Sequence, residues 1–344
     1  MKIGIVNDLP IAAEALRRAV ALEPEYQVIW VAHDGAEAVS LCAEKTPDLI
    51  LMDLVMPGMS GVEATRQIMA RSPCAILIVT ANVGVNATGV YEAMGHGALD
   101  AADTPTLAPS KNARAGAAAL LAKINGIRRR IDKSNDTLRA AKLVFAAEPR
   151  SPTERLIAIG ASAGGPAALA TLLSGLPGDL SAAIVIIQHV DPQFAVGLAG
   201  WLSQQSPLPV RIAQEGDRPA AGTVLLAGTS DHLTLTTAGP LSYSREPSEY
   251  VYRPSVDVFF RSVRDFWPSE AIGVLLTGMG RDGAVGLKAL RDKGCHTIAQ
   301  DEATSAVYGM PKAAALLDAA IDILPISGIA ARLIDVLDRR SHTG

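Results

Sequence analysis

The sequence predicts an α/β chain of two doubly wound parallel-sheet domains, and three observations carry that expectation. Its 344 residues exceed what one hydrophobic core ordinarily supports, about 250 to 300 residues. Strand-like and helix-like segments alternate through both halves, the pattern of α/β architecture. The strand-like runs, such as residues 49–52, 76–79 and 183–187, are continuously apolar. Strands of that kind are buried on both faces, as parallel sheets covered by helices require. A composition of 49% hydrophobic and 19% charged residues supplies the material for two cores.

In the first half, strands are expected at residues 2–8, 27–34, 48–54, 75–81 and 97–103. Helices are expected at 11–22, 36–46, 62–71 and 86–94, with a long one from about residue 110. Ligands of such sheets bind beyond the carboxyl ends of the strands. That edge gathers Asn7 and Asp8, then Asp53, then Thr80. Clustered oxygen ligands suit Mg²⁺, which keeps several waters and binds through one or two carboxylates. Helix capping by Asp8 and Asp53 is the alternative. Residues 110–144, rich in Ala, Lys and Arg, read as a last helix running into a connector. Its Arg128, Arg129 and Arg130 read as a solvated helix end. The proline-bearing stretch 145–153, FAAEPRSPT, reads as a linker. The expected division is a first domain at 1–130, a linker at 131–153 and a second domain at 154–340.

In the second half, strands are expected at 156–161, 182–188, 224–227 and 271–277. The first runs into Gly160-Ala161-Ser162-Ala163-Gly164, a G-x-S-x-G pattern at a strand-to-helix turn. Small neighbours there allow a sharp turn that lifts a hydroxyl out of the sheet. On the pattern alone, a phosphate-cradling loop or a structural turn reads the same way. The second strand ends in His189, and the fourth runs out through TGMGRDG to Asp282. Ser162, His189 and Asp282 thus leave strand ends in the same sense, on one sheet edge. Serine needs a base to take its proton, and a carboxylate fixes the tautomer of that base. A backbone-bonded His189, and Asp282 as the N-cap of the next helix, are the alternatives. His33, His96, His232, His296 and His342 are the other histidines.

A net charge of −4 gives no global attraction to nucleic acid. The start, MKIGIVNDLP, lacks an apolar export signal, and no apolar run approaches the length of a membrane span. Cys42, Cys74 and Cys295, scattered and odd in number, read as reduced buried thiols. A cytoplasmic location, without nucleic acid or membrane insertion, is therefore expected.

The stretches IGASAGGP, IIQHV, LLAGTSDHLTL, RPSVDVFFRS, LLTGMGRDGA and QDEATSAVYGMP resemble the catalytic domain of the chemotaxis protein-glutamate methylesterases (the CheB family). MDLVMPGMSG and the residues around it resemble a response-regulator receiver. The resemblance implies a flavodoxin-like receiver followed by a Rossmann-like esterase domain. It assigns Ser162 as nucleophile, His189 as general base, Asp282 as its partner and the Met279 N–H as oxyanion donor. In the receiver it assigns Asp53 as phosphoacceptor, Asp8 and Asp53 as Mg²⁺ ligands and Thr80 as the switch hydroxyl. The implied activity is phosphorylation-regulated hydrolysis of glutamyl methyl esters on chemoreceptor helices, releasing methanol, with glutamine deamidation as a second reaction. Ester hydrolysis of this kind needs no cofactor. The implied partners are methyl-accepting receptors and a receptor-coupled histidine kinase, and the receiver is expected to cover the esterase site until Asp53 is phosphorylated. MKIGIVND and GHGALDAADTP resemble the branch attached to surface-sensing (Wsp-type) arrays. The chain departs from the family pattern at Asn7 (usually acidic), Thr104 (usually lysine) and Ala163 (often threonine). An inert adaptor, a transcriptional regulator and a general small-molecule esterase are the rival functions. The retained Ser162, His189 and Asp282 oppose the first, and the lack of a basic output domain opposes the second.

Overall fold

The computed structural model describes residues 1–105, 113–133, 155–250 and 252–341. The chain forms two compact units, 1–136 and 137–344. The stretch 145–153 read as a linker lies outside the described residues.

The first unit contains β1 (Lys2–Val6), α1 (Pro10–Val20), β2 (Gln27–Ala32), α2 (Gly35–Glu44), β3 (Leu49–Met52), α3 (Gly61–Arg71), β4 (Ala75–Thr80), α4 (Ala87–Gly95), β5 (Asp100–Asp103) and α5 (Ala113–Lys133). Its strands pair in parallel in the order β2-β1-β3-β4-β5. β3 and β4 are buried along their whole length, because helices cover both faces. Local signals begin the helices. Asp34 accepts from the Glu37 N–H at 2.8 Å as the N-cap of α2, and Glu37 accepts in turn from the His33 N–H at 2.7 Å. Ser60 likewise accepts from the Glu63 N–H to open α3.

Two expectations need correction here. α5 continues to Lys133, past residue 130, where the linker was expected to begin. Arg128 is not a solvated helix end: it pairs with Glu25 and lies over the Tyr26 ring at 5.7 Å, fastening α5 to the loop before β2.

The second unit contains β6 (Arg155–Ala161), α6 (Gly165–Ser174), β7 (Ala182–Gln188), α7 (Pro192–Gln205), β8 (Val210–Ile212), β9 (Val224–Leu226), β10 (His232–Leu235), β11 (Leu241–Ser244), α8 (Val256–Phe266), β12 (Ala271–Leu275), α9 (Ala284–Asp292), β13 (His296–Gln300), α10 (Met310–Leu316), β14 (Asp322–Leu324) and α11 (Ile326–Ser341). Seven strands form one parallel sheet in the order β14-β13-β12-β6-β7-β9-β8, with β6 at its centre. β10 and β11 form a separate antiparallel hairpin. The core that joins hairpin, sheet and α8 is built on Leu233, Leu235, Phe259, Phe260, Val185 and Leu275. α8 starts where Ser255, preceded by Pro254, accepts from the Val258 N–H. Val256, Phe259, Phe260 and Val263 then fall on one buried face at helical spacing.

Candidate active site

β6 and β7 pair with Ala161 opposite Gln188. The next residues, Ser162 and His189, therefore leave adjacent strand ends side by side, at the ~4.8 Å spacing of a sheet. On the other flank β12 pairs Leu275 with Gly160, and the chain beyond it holds the nucleophile turn: the Ser162 N–H donates to the Thr277 carbonyl at 3.0 Å. The Ser162 carbonyl accepts from the Gly165 N–H at 2.8 Å and from Gln188 Nε2 at 2.9 Å. The turn needs glycine twice. Gly164 takes φ +80°, and a Cβ on Gly165 would lie 2.0 Å from Gln188 Oε1.

His189 and Asp282, each buried, meet at 2.8 Å between Nε2 and Oδ2. Asp282 is not the N-cap of α9, which Gly283 provides. Instead it occupies the N-terminus of α8: Oδ1 accepts from Ser255 Oγ at 2.8 Å and the Asp257 N–H at 3.1 Å, and Oδ2 from the Val256 N–H at 2.7 Å. Burial opposes ionisation of Asp282, but the donors from His189, Val256 and Ser255 outweigh it and hold the carboxyl below the usual range. An ionised Asp282 only accepts, so Nε2 carries the imidazole proton and Nδ1 keeps its lone pair. Nδ1 is buried and has no hydrogen-bond partner among the described residues. The nitrogens are thus used in the opposite sense from the serine-protease template, in which Nδ1 faces the acid.

Two groups supporting this arrangement were not singled out from the sequence for such a role. Asp257 accepts from the Gly286 N–H at 2.6 Å, and burial together with the Asp282 charge pushes its carboxyl up to about 7. His232, fully buried, accepts from the Ser255 N–H at Nδ1 (3.1 Å) and donates from Nε2 to the Pro247 carbonyl (3.1 Å). Burial lowers its pKa and favours the neutral form that this bonding requires. The sequence signal that could have found the group is Pro254-Ser255-Val256-Asp257, a helix-start signature.

The Met279 turn lies against the serine, since a Cβ on Gly278 would fall 2.7 Å from Ser162 Cβ. Gly278 is held by Val307, Gly309 and Met310 backbone, whereas the Met279 N–H makes no backbone hydrogen bond among the described residues. His296 lies apart, paired with Asp322 at 2.7 Å at the start of β13, the opposite edge of the sheet.

In the first unit, Asp53 is buried after β3, and its Oδ1 accepts from the Leu54 N–H at 2.7 Å. Its Oδ2 accepts from Asn7 Nδ2 at 2.9 Å, while Asn7 Oδ1 accepts from the Leu9 N–H at 2.9 Å. Burial, reinforced by the Asp8 charge, raises the Asp53 pKa. Neither acid caps a helix, because α1 has no side-chain cap and α3 is capped by Ser60. Thr80 Oγ1 accepts from Asn86 Nδ2 at 2.9 Å, a partner that sequence reasoning missed. Two carboxylates close enough to repel fit a hard divalent cation, which would relieve that repulsion. Among the described residues no three His, Cys, Asp or Glu side chains converge on one metal position, and no helix is long and apolar enough to cross a membrane.

Comparison with known proteins agrees with this architecture. Residues 157–333 match the CheB methylesterase family, and residues 3–103 match the response regulator receiver domain. A protein-glutamate methylesterase/protein-glutamine glutaminase of Burkholderia pseudomallei (strain 1710b) is 62% identical over 339 residues, covering 98% of each chain. One from Cupriavidus metallidurans is 60% identical over 334 residues, covering 97% of this chain and 98% of that protein. The crystal structure of the Thermotoga maritima CheB methylesterase catalytic domain is 33% identical, covers 54% of this chain and 100% of that one, and superposes with a TM-score of 0.51. The chain therefore belongs to the CheB methylesterase family, with a response regulator receiver domain preceding the esterase domain.

Proposed function

We propose that this chain hydrolyses γ-glutamyl methyl esters on receptor helices to glutamate and methanol, and by the same steps deamidates glutamine. The observation that carries the reading is His189, fixed by the α8-anchored Asp282 and beside Ser162 one step past the β6–β7 register. Ser162 Oγ attacks the ester carbonyl carbon while His189 Nδ1 accepts the hydroxyl proton, and Asp282 stabilises the resulting imidazolium. The Met279 N–H receives the oxyanion of the tetrahedral intermediate. His189 returns the proton to the departing methoxide, leaving a glutamyl ester on Ser162. Water, deprotonated by His189, then releases the glutamate carboxyl and regenerates the serine. With glutamine the leaving group is ammonia.

Asp53 is the proposed phosphoacceptor, with a receptor-coupled histidine kinase as donor and receptors, including those of surface-sensing arrays, as substrate. Asp8 and Asp53 would hold Mg²⁺, which when bound neutralises charge on the incoming phosphoryl group. Release of labelled methanol from methylated receptor tests the esterase reading. Ser162→Ala should abolish release with unchanged circular dichroism, and His189→Ala and Asp282→Asn should each lower kcat by about 10⁴-fold. Adding His189→Ala to Ser162→Ala should cost scarcely more, because the residues act as a unit. Wild-type release by Ser162→Ala would overturn the reading.

A further inference from the structure

Tyr250 and Tyr252 each lie beside an imidazole of the site. Tyr250 meets His232 edge-on, with centroids 5.9 Å apart and planes at 80°. Tyr252 lies flat on His189, with centroids 4.2 Å apart and planes within 6° of parallel. The other end of Tyr252 is also placed. A Cβ on Gly280 would fall 3.0 Å from the Tyr252 hydroxyl oxygen, and Gly280 takes φ +82°, so this glycine leaves room for the phenol beside the Met279 turn. Tyr252 thus spans from the imidazole to the turn that carries the candidate oxyanion donor.

Asp282 holds His189 through a single hydrogen bond at Nε2, and Nδ1 is unbonded among the described residues. One hydrogen bond leaves the ring free to rotate about that contact. A second surface pressed against the ring face fixes the plane, and with it the direction of the Nδ1 lone pair. The same surface is the electron-rich face of an aromatic ring, which attracts a cation lying over it. His189 is neutral before proton transfer and cationic after it, so that attraction grows as the reaction proceeds.

We infer that Tyr252 is a positioning residue for the base of this reaction: its ring face orients His189 and stabilises the imidazolium that forms when Ser162 is deprotonated. The inference rests on the esterase reading above. The charged or titratable groups bearing on this imidazole are Asp282 directly, and Asp257 and His232 through Asp282; Arg253 adjoins Tyr252 in the chain.

The test is the rate at which full-length protein is labelled at Ser162 by a fluorophosphonate, a probe whose phosphorus is attacked by the serine oxygen with loss of fluoride. Intact mass locates the label, and the rate is followed against pH. Tyr252→Phe, which keeps the ring face, should label within about 2-fold of wild type at the same pH midpoint. Tyr252→Leu and Tyr252→Met keep an apolar cover but remove the π face. Each should label about 10-fold more slowly, with the midpoint lowered by up to about one pH unit, because the imidazolium loses its stacking partner. In methanol release the loss should fall on kcat rather than KM. Wild-type rates and midpoints in either apolar variant would overturn the role of Tyr252 while leaving the esterase reading intact. Failure of wild-type Ser162 to label would overturn the nucleophile assignment and this inference with it.

Discussion

The residues around His189 divide one negative charge between two buried carboxyls, and pH should expose the division. Asp282 is held below its ordinary value and Asp257 is pushed up to about 7. A carboxyl raised by folding contributes stability that is fully present below its unfolded value of 3.8 and is lost as pH rises through about 7. Wild-type Tm should therefore fall between about pH 5 and about pH 8 more than that of Asp257→Asn. Parallel Tm profiles would refute the assignment of that burden to Asp257. Asp282 has the opposite sign: its contribution is present above 3.8 and is lost as pH falls through its lower folded value. At this scale the sequence was legible in placement: Ser162 and His189 follow adjacent apolar strands, and Asp282 follows β12 and meets His189. It was not legible for Tyr252, Ser255 and His232, whose roles depend on where the β10–β11 hairpin and α8 dock. Nothing in Tyr252's immediate neighbours shows that it lies on a histidine 63 residues away in the chain (252 − 189).

Among the elements, α8 is the one on which the site depends. Its first turn supplies two backbone N–H groups and its cap supplies a hydroxyl to Asp282. These are the donors that a helix beginning would otherwise leave unsatisfied. Ser255→Ala removes both the cap on Val258 and a ligand of Asp282. It should cost about 1 kcal/mol by denaturant titration, and lower kcat with little change in KM, because the serine lies behind the acid and not in the substrate's path. Unchanged kcat would show that the N–H groups alone suffice to hold Asp282. The legible elements were the apolar strands β3, β4, β6, β7 and β12, whose burial dictates their composition. The missed ones, β8, β11, β13 and β14, span three to five residues. β13 reads His-Thr-Ile-Ala-Gln, and its polar side chains are satisfied by tertiary partners such as Asp322 for His296 and the Thr277 N–H for Gln300. A short segment with polar residues at both ends cannot declare itself by an apolar run.

At the scale of the whole chain, the receiver and the esterase are separate compact units, and the proposed connection between them is the phosphorylation state of Asp53. A small-molecule phosphodonor with Mg²⁺ should raise methanol release by the full-length protein, and Asp53→Asn should abolish the rise. Asn7→Asp combined with Thr104→Lys should speed phosphorylation, because the pair restores an acid for the cation and a point charge for the phosphoryl group. Indifference of wild-type activity to phosphodonor at every Mg²⁺ concentration would make the receiver a docking domain instead. The two-domain order was legible from length and alternation, and so were the positions of Asp8, Asp53 and Thr80. The amide of Asn7 bonded to Asp53 Oδ2 was not, since substitution of an acid by its amide reports only a lost charge and not a new donor. That bond has a consequence for timing. An oxygen that already accepts the Asn7 N–H has part of its electron density engaged and is a weaker nucleophile toward a phosphodonor. The expected result is slow loading from every donor, large or small, with the amide acting as a brake on the first chemical step of the receiver.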